Sequence, residues 1–459
     1  MSVPDLTRIQ RAVPAPVRGL CLRLREKGYR AWLVGGCVRD ELLPGSNANA
    51  APEHDWDLAT DARPEQVRAC FRQVIPTGIR HGTVTVLLEG SRYEVTTLRG
   101  ETTYTDGRHP DSVYFVRELE EDLARRDFTV NAMAYEPIEG DLIDPHGGYA
   151  DLEARLLRAV GNPFARFGED GLRVLRAARF AATLEFDIDD ATLAAIRPSL
   201  RSYRRVSPER IRDEWLKCLA ARRPSLGYRI MLHHGLLAVT APELTACVGR
   251  PAGAPGDVWE HSLDCLDACP RIPLLRLAAL FHDVGKAHGP GAASDADSGF
   301  DGHEAVGSEL AAGLLQRLRF SNREQEQVAA LVAHHVIGYD RDWDDAALRR
   351  WICRVGPTRV PSLCDLGQAD VAVGDFEAAG SLEDIRSLRT RAQELTATGF
   401  PCSVRDLAVD GHDLMRHLSL QPGSELGRLL RALLDEVIGE PARNTPELLL
   451  ARATELLKR

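Results

Sequence analysis

Hydrophobic and polar positions change period along this chain, and the change predicts a small α/β region followed by a long helical one. Ala31 to Val34 is a short apolar run that reads as a strand, Gly35-Gly36 as a turn, and Val38 to Leu43 as the start of a helix. Asp55 to Ala59 is again strand-like, and Thr83 to Leu88 and Arg92 to Leu98 alternate well enough for a β-hairpin across Glu89 to Ser91. From about Asp151 onward a helical period takes over. Arg173, Arg176 and Arg179 fall on one helix face, and Leu172, Leu175 and Ala178 on another. The stretch from Cys247 to Asp257, rich in Gly, Pro and Ala, reads as a linker, and His288 to Gly302 as a polar loop. The expected class is α+β: a mixed-sheet head over 1–148, an all-α neck over 149–250, a helical body over 251–375 and a helical C-terminal tail over 376–459.

Composition narrows the class. At 459 residues, 44% hydrophobic and 27% charged, the chain has the make-up of a globular protein of several domains. No stretch approaches the roughly 18 unbroken apolar residues of a membrane span, and Met1 to Arg8 has no charged-then-apolar signal pattern. A cytoplasmic location away from membranes is therefore expected. The ten cysteines include no Cys-x-x-Cys pair, which predicts buried free thiols in a reducing compartment, without zinc or disulfides. The net charge of −10 disfavours a nonspecific nucleic-acid coat, but the charge is uneven. Residues 201–250 hold ten basic against four acidic side chains, and residues 101–150 hold four against twelve. A basic stripe on an acidic protein suits a phosphate ligand gripped in one place.

The candidate chemistry starts at Asp55-Trp56-Asp57. Side chains on a strand alternate with a period of two, so both carboxylates project to one side. Two such groups can hold Mg²⁺ ions that bridge a nucleoside triphosphate and lower the pKa of an attacking hydroxyl. Upstream, Gly35-Gly36-x-Val38-Arg39-Asp40 adds specificity, because glycines let backbone N–H groups approach a triphosphate and Arg39 can neutralise it. Pairing of the hairpin with the Asp55 strand would bring Glu94 in as a third carboxylate; Glu94 reads equally well as a solvent-facing strand residue. Asp170 and Arg173, at i and i+3 on a helix, would lie side by side and offer acceptors and a fork of donors. Together they could present a Watson–Crick-like edge in place of a template. Alone they read as a surface ion pair, but Arg126, Arg176 and Arg179 nearby in the pattern favour the functional reading.

Leu33 to Asp40 followed by Asp55 to Thr60 resembles the nucleotidyltransferase signature of the polymerase-beta superfamily, in its class II tRNA nucleotidyltransferase branch. Further stretches resemble that family's motifs in order. Thr77 to Thr83 and Glu94 to Arg99 look like its second strand pair, and Tyr104 to Pro110 like its flexible loop. Arg125 to Ala132 resembles the ribose-recognition motif, with Arg126 and Asp127 as its polar core. Glu169 to Arg173 resembles the motif whose Asp and Arg hydrogen-bond the base edge of CTP or ATP, and Glu209-Arg210 to Glu214 the motif that braces it. Asp406 to Leu414 with Pro422-Gly423 is similar to the family's tail, which implies tRNA binding there. Two departures stand out: the connection from Leu42 to His54 is longer than usual, and Trp56 replaces a common aliphatic residue. The resemblance implies template-independent addition of C, C and A to the 3′ end of tRNA from CTP and ATP, with Mg²⁺. An enzyme adding only the terminal A, or a bacterial poly(A) polymerase, would share many of these motifs.

A second constellation lies downstream. His261, His282-Asp283, His303, His334-His335 and Asp370 occupy an otherwise helical stretch. The His-Asp dipeptide lets adjacent ligands at a helix end reach one ion, and imidazole plus carboxylate suits Mn²⁺, Mg²⁺ or Ni²⁺. This order resembles the HD phosphohydrolase domain, which implies a metal set of His261, His282, Asp283, His303, His334 and Asp370. Adjacent His335 could replace His334, and Asp365 could replace Asp370. The contrasting reading makes the chain primarily a metal phosphohydrolase with an RNA-binding N-terminal domain. Asp55 and Asp57 argue against it, since a binding module has no need of paired carboxylates.

Overall fold

Ala31–Val34 forms strand β1, buried at all four positions, as an apolar run in the middle of a sheet must be. In the computed structural model, which describes residues 4–43, 55–79, 82–101, 113–252, 256–288, 302–374 and 381–458, six further strands join it. They are β2 (Leu58–Thr60), β3 (Val74–Gly78), β4 (Thr83–Leu88), β5 (Ser91–Thr97), β6 (Ala134–Glu136) and β7 (Asp141–Ile143). Their order across the sheet is β3-β4-β5-β2-β1-β6-β7. Only β2 and β5 run parallel among these neighbours, so the sheet is mixed as expected. The hairpin forms where the alternation placed it: Leu88 pairs with Ser91, and both turn residues, Glu89 and Gly90, have positive φ, the geometry that matches strand twist in a two-residue turn. Trp32, Val34, Ala59, Leu98, Leu123 and Ala134 pack one core.

Two expectations on this side need correcting. Strand β2 begins only at Leu58, so Asp55 and Asp57 lead into it rather than lie within it. The alternation survives because Val34 N–H still donates to the Asp57 carbonyl at 3.1 Å; Trp56 is buried and both aspartates are exposed. Asp170 and Arg173 do not share a helix. Helix α2 (Pro163–Glu169) ends before Asp170, whose backbone is extended, and α3 starts afresh over Leu172–Leu184. The arginine face of α3 is not a solvated stripe either, for Arg173 and Arg179 are both buried. Helix α4 (Pro208–Leu219) packs on it.

The chain divides into two compact units, 1–240 and 241–459. The stretch expected to be a linker belongs to the second. Its described ends are tied together, with Gly249 N–H on the Asp257 carboxylate at 2.6 Å and Val258 N–H on the Arg250 carbonyl at 2.8 Å. Beyond it the second unit is helical: α5 (Val258–Ala268), α6 (Pro273–Phe281), α7 (His303–Arg317), α8 (Asn322–Ala333), α9 (Asp345–Val355), α10 (Val360–Val373) and α11 (Leu382–Thr398), then tail helices closing on Leu414, Leu429, Leu433, Val437 and Leu449. Cys353 and Cys402 form a disulfide with Cα atoms 4.9 Å apart, against the expectation of free thiols throughout; spacing in sequence, 49 residues, gave no hint of it. No helix among the described residues is long and apolar enough to cross a membrane. Residues 44–54, Arg80-His81, the Tyr104 to Pro110 loop and residues 289–301 lie outside the described residues.

Candidate functional site

The first unit gathers carboxylates at one end of its sheet. The parallel register of β2 and β5, Leu58 opposite Val95, sets Glu94 alongside Asp57, and Glu94 is at the same time exposed, so both readings the sequence left open describe its position. Asp57 feels this crowding. Desolvation first, then the charges of Glu94 and Asp55, push its carboxyl up to about 6, against the opposing pull of Arg126. Its side chain is nonetheless open to solvent, so the crowding comes from close neighbours rather than full enclosure. The β2–β5 register holds Asp57 and Glu94 side by side with Asp55 two residues upstream, and carboxylates are the hard oxygen donors that divalent cations take.

The turn between β1 and helix α1 (Gly36–Leu42) explains the paired glycines. Gly35 sits at φ 81°, and a Cβ there would fall 3.1 Å from Nη1 of Arg126. Glycine thus allows both the backbone angle and the close approach of that guanidinium. Arg126 is held by Asp122 (3.5 Å) and the Asn131 carbonyl (3.4 Å), and its buried Nε meets no acceptor among the described residues. Arg39, expected to face a triphosphate, is instead buried; it donates to Asp40 and to the Asn131 side chain, both at 2.7 Å.

Behind the carboxylates lies an ion-pair network that sequence reasoning largely missed. Asp127 is buried and accepts from Arg176 through Nε at 2.7 Å and Nη2 at 2.6 Å. Burial alone would raise its pKa, but the Arg176 charge and the Asn131 hydrogen bond bring it down to about 2. Arg176 also reaches Glu214 at 3.5 Å, and Arg179 pairs with the other oxygen of Glu214. Phe180 lies under these cations, with the Arg179 guanidinium 3.6 Å and those of Arg39 and Arg176 5.3 Å from its ring centre. Asp170 takes a two-pronged pair from Arg210, at 3.2 and 2.6 Å. Arg173 meets Asp170 only through the backbone, its N–H donating to the Asp170 carbonyl at 3.0 Å; its guanidinium donates to Glu169 (2.6 Å) and to the carbonyls of Arg166 (3.0 Å) and Arg125 (2.9 Å). The signal available in the sequence was the Glu209 to Glu214 motif, whose acid and arginine supply these partners.

In the second unit the histidine pattern condenses into one cluster. His261 Nε2 stands 3.2 Å from His282 Nε2 and 3.0 Å from Asp370 Oδ1. His303 and His335 meet through their Nε2 atoms at 3.2 Å, and Asp283 lies between the two groups. His334 is a correction. Its adjacent partner His335 enters the cluster, while His334 ends helix α8 and feels Arg354 and Arg359. Asp365 pairs with Arg389 and stays outside. The rings of His282 and His335 are set by Nδ1 contacts to the carbonyls of Ala279 (2.7 Å) and Val332 (2.8 Å), the backing that metal-binding imidazoles use. Burial works against a charged His282, yet Asp283 and Asp370 raise its pKa to about 9. A divalent cation would answer the same electrostatic demand. Cys265 (3.6 Å from His261 Nε2) and Lys286 (2.6 Å from Asp283) were not anticipated, though Lys286 lies at i+3 from Asp283. A pocket of about 200 Å³, walled by Ile337, Val371 and Ile385, opens onto Asp283, His303, His335 and Asp370.

Comparison with known proteins places these elements. Residues 31–158 match the Poly A polymerase head domain, residues 185–248 the RNA and SrmB-binding site of polymerase A, and residues 305–453 the tRNA nucleotidyltransferase domain 2. A CCA-adding enzyme of Levilactobacillus brevis is 33% identical over 438 residues, covering 94% of this chain and 95% of that protein. One from Lactococcus lactis subsp. cremoris is 32% identical over 439 residues, 95% of each chain. Among solved structures, the Bacillus stearothermophilus CCA-adding enzyme in complex with CTP aligns with a TM-score of 0.74 at 27% identity, over 97% of this chain and 98% of that one.

Proposed function

We infer the function from this premise: the chain belongs to the family of CCA-adding enzymes, tRNA nucleotidyltransferases that build C, C and A onto the 3′ end of tRNA from CTP and ATP without a template. What supports its chemistry is the β2–β5 register that sets Asp57 alongside Glu94, where Asp57 feels the charges of Glu94, Arg126 and Asp55, next to the Gly35 turn that Arg126 approaches. Asp55, Asp57 and Glu94 would hold Mg²⁺, which when bound supplies charge neutralisation and a more acidic primer hydroxyl. The chain's own residues do the rest. The Gly35-Gly36 turn admits the triphosphate close to the backbone, and Arg126 places a positive charge there. Arg39, Arg176 and Arg179 act from behind, orienting Asn131, Asp127 and Glu214. The 3′-hydroxyl of the tRNA attacks the α-phosphorus, a new P–O bond forms, and pyrophosphate leaves. Incubation with labelled CTP or ATP and with tRNAs ending before CCA, after CC and after CCA tests this reading. Both nucleotides should enter the first tRNA, ATP alone the second and neither the third; ATP entering only the second would make the chain an A-adding enzyme, and long A tails a poly(A) polymerase.

Asp170 and Arg173 read the base in this proposal. The two-pronged pair from Arg210 aims the Asp170 carboxylate, and the contacts of Arg173 fix its fork. A site built on hydrogen bonds rejects a wrong base by leaving its own groups unpaired, at about 1 to 3 kcal/mol per lost partner. Asp170→Ala and Arg173→Ala should therefore narrow the preference for ATP over UTP on a tRNA ending in CC by roughly ten- to hundredfold, measured as kcat/KM. An equal loss toward every nucleotide would make both residues braces of the α2–α3 junction.

The histidine cluster supports a second, separate activity. The ligands His261, His282, Asp283, His303 and Asp370, with His335 in place of His334, fit an HD-type site for Mn²⁺, Mg²⁺ or Ni²⁺. Such a site would hydrolyse a phosphate ester, water adding to phosphorus and the ester oxygen leaving with a proton. The tail, 376–459, is the proposed tRNA-binding end, and the cytoplasm the proposed location.

A further inference from the structure

The two arginines that open the 125–132 stretch are held by a carboxylate upstream of it, Asp122. This residue sits in the last turn of the short helix Leu119–Ala124, whose Leu119 and Leu123 pack into the head core. Side chains three and four positions further on fall over the same face, and here both are arginines. Oδ1 of Asp122 accepts from Arg125 through Nε at 3.0 Å and Nη2 at 2.8 Å, and from the Arg99 backbone N–H at 3.2 Å. Oδ2 pairs with Nη2 of Arg126 at 3.5 Å. Asp122 is 1% exposed. Desolvation works against its charge, yet Arg125 and Arg126 hold its carboxyl below the usual carboxylate range.

What this anion holds stands at the ligand end of the site. Arg126 lies against the Gly35 turn, where a Cβ would come within 3.1 Å of Nη1, and the same Nη1 donates to the Asn131 carbonyl at 3.4 Å. The buried Nε has no acceptor among the described residues. Two described contacts therefore steer the guanidinium, one at each Nη, and only the contact to Asp122 carries a charge. Without it Arg126 is left to the pull of Asp57, whose charge it already feels and which the transfer reaction needs for Mg²⁺. Arg125 extends the chain of contacts in the other direction. Asp122 grips its side chain, while its backbone carbonyl accepts from Nη2 of Arg173 at 2.9 Å.

Resting on the nucleotidyltransferase reading, we propose that Asp122 is a positioning residue of the transfer reaction, which acts through Arg126 and sets that guanidinium at the Gly35 turn to meet the triphosphate. Asp122 itself touches neither nucleotide nor metal. Through Arg125 it also ties the placement of Arg126 to Arg173, so that a base held at Arg173 and a triphosphate held at Arg126 share one buried support.

The test is a double-mutant cycle of Asp122→Asn and Arg126→Ala in the full chain, read as kcat/KM for ATP on a tRNA ending in CC. Asp122→Asn keeps the size of the side chain and an acceptor for the Arg99 N–H, but removes the charge. It should lower kcat/KM by about 10- to 100-fold, the loss expected when a reacting phosphate is misplaced. Inorganic tripolyphosphate, which reports the phosphate grip without the base, should compete with ATP at least about tenfold more weakly, while KM for tRNA stays put. In the Arg126→Ala background the same change should matter by less than about twofold, because the group it acts through is gone. If Asp122→Asn melts early, Asp122→Glu, which keeps the charge and displaces it, carries the same cycle. Equal losses in both backgrounds, or unchanged competition by tripolyphosphate, would make Asp122 a brace of the fold and overturn the proposal, as would wild-type kcat/KM in the single variant. A wild-type chain that adds no nucleotide to any tRNA defeats the nucleotidyltransferase reading itself, a result distinct from these.

Discussion

Asp55→Ala and Asp57→Ala should each lower CTP and ATP incorporation by at least about 10³-fold while leaving the melting temperature near that of the wild type. Loss of a ligand to the catalytic ions removes several kcal/mol of transition-state charge stabilisation, and about 4 kcal/mol corresponds to three orders of magnitude in rate. Stability should hold because both side chains are exposed. At Asp57 the change even relieves repulsion from Glu94. Single-turnover incorporation on a tRNA lacking CCA, beside a thermal melt, checks both halves. Activity within tenfold of wild type would remove these carboxylates from the chemistry. Any phosphohydrolase activity of the second unit should survive both changes and disappear in His282→Ala.

Glu214→Ala should be the most damaging single change to the fold of the first unit. Glu214 is 3% exposed and is the shared partner of Arg179, itself 8% exposed, and of Arg176. Removing the acid leaves a buried guanidinium without compensation, which costs about 3 to 5 kcal/mol. At about 2 to 4 °C per kcal/mol for a unit of this size, the transition should fall by about 10 °C. Glu214→Gln keeps an acceptor and should fall less. If differential scanning calorimetry finds both variants melting with the wild type, the network contributes complementarity and little net energy.

The parts of this site that were legible in the sequence are those fixed by local backbone rules. Strand, glycine turn and helix from Ala31 to Leu42 follow from hydrophobic run, positive φ and chain direction, and the β4–β5 turn follows from Glu89-Gly90. Glu94 was legible only to two alternatives, because its place depends on the β2–β5 register, which the pattern does not set. What failed were statements about side-chain direction at helix ends. Asp170 lies between two helices, so an i, i+3 rule did not apply to it. His334 and His335 sit where α8 stops, and which imidazole turns inward depends on the carbonyl of Val332, a contact no spacing announces. Arg39 was read from its charge; Asn131 and Phe180, 92 and more than a hundred residues away in sequence, decide where it points.

The bonds from Arg173 to the Arg125 carbonyl and from Arg176 to Asp127 also bear on how this protein can be recombined. Both cross position 148, where hydrophobic patterning suggests that head gives way to neck. A chimaera cut there between two relatives would inherit an Asp127 from one parent and its guanidinium from the other, set on a helix whose rotation that parent alone had tuned. Residues 122–131 and 173–179 therefore form one unit of inheritance, although some fifty positions separate them. Exchange of specificity between relatives should succeed when both segments travel together, and the natural place to cut the chain lies outside this pair rather than between them.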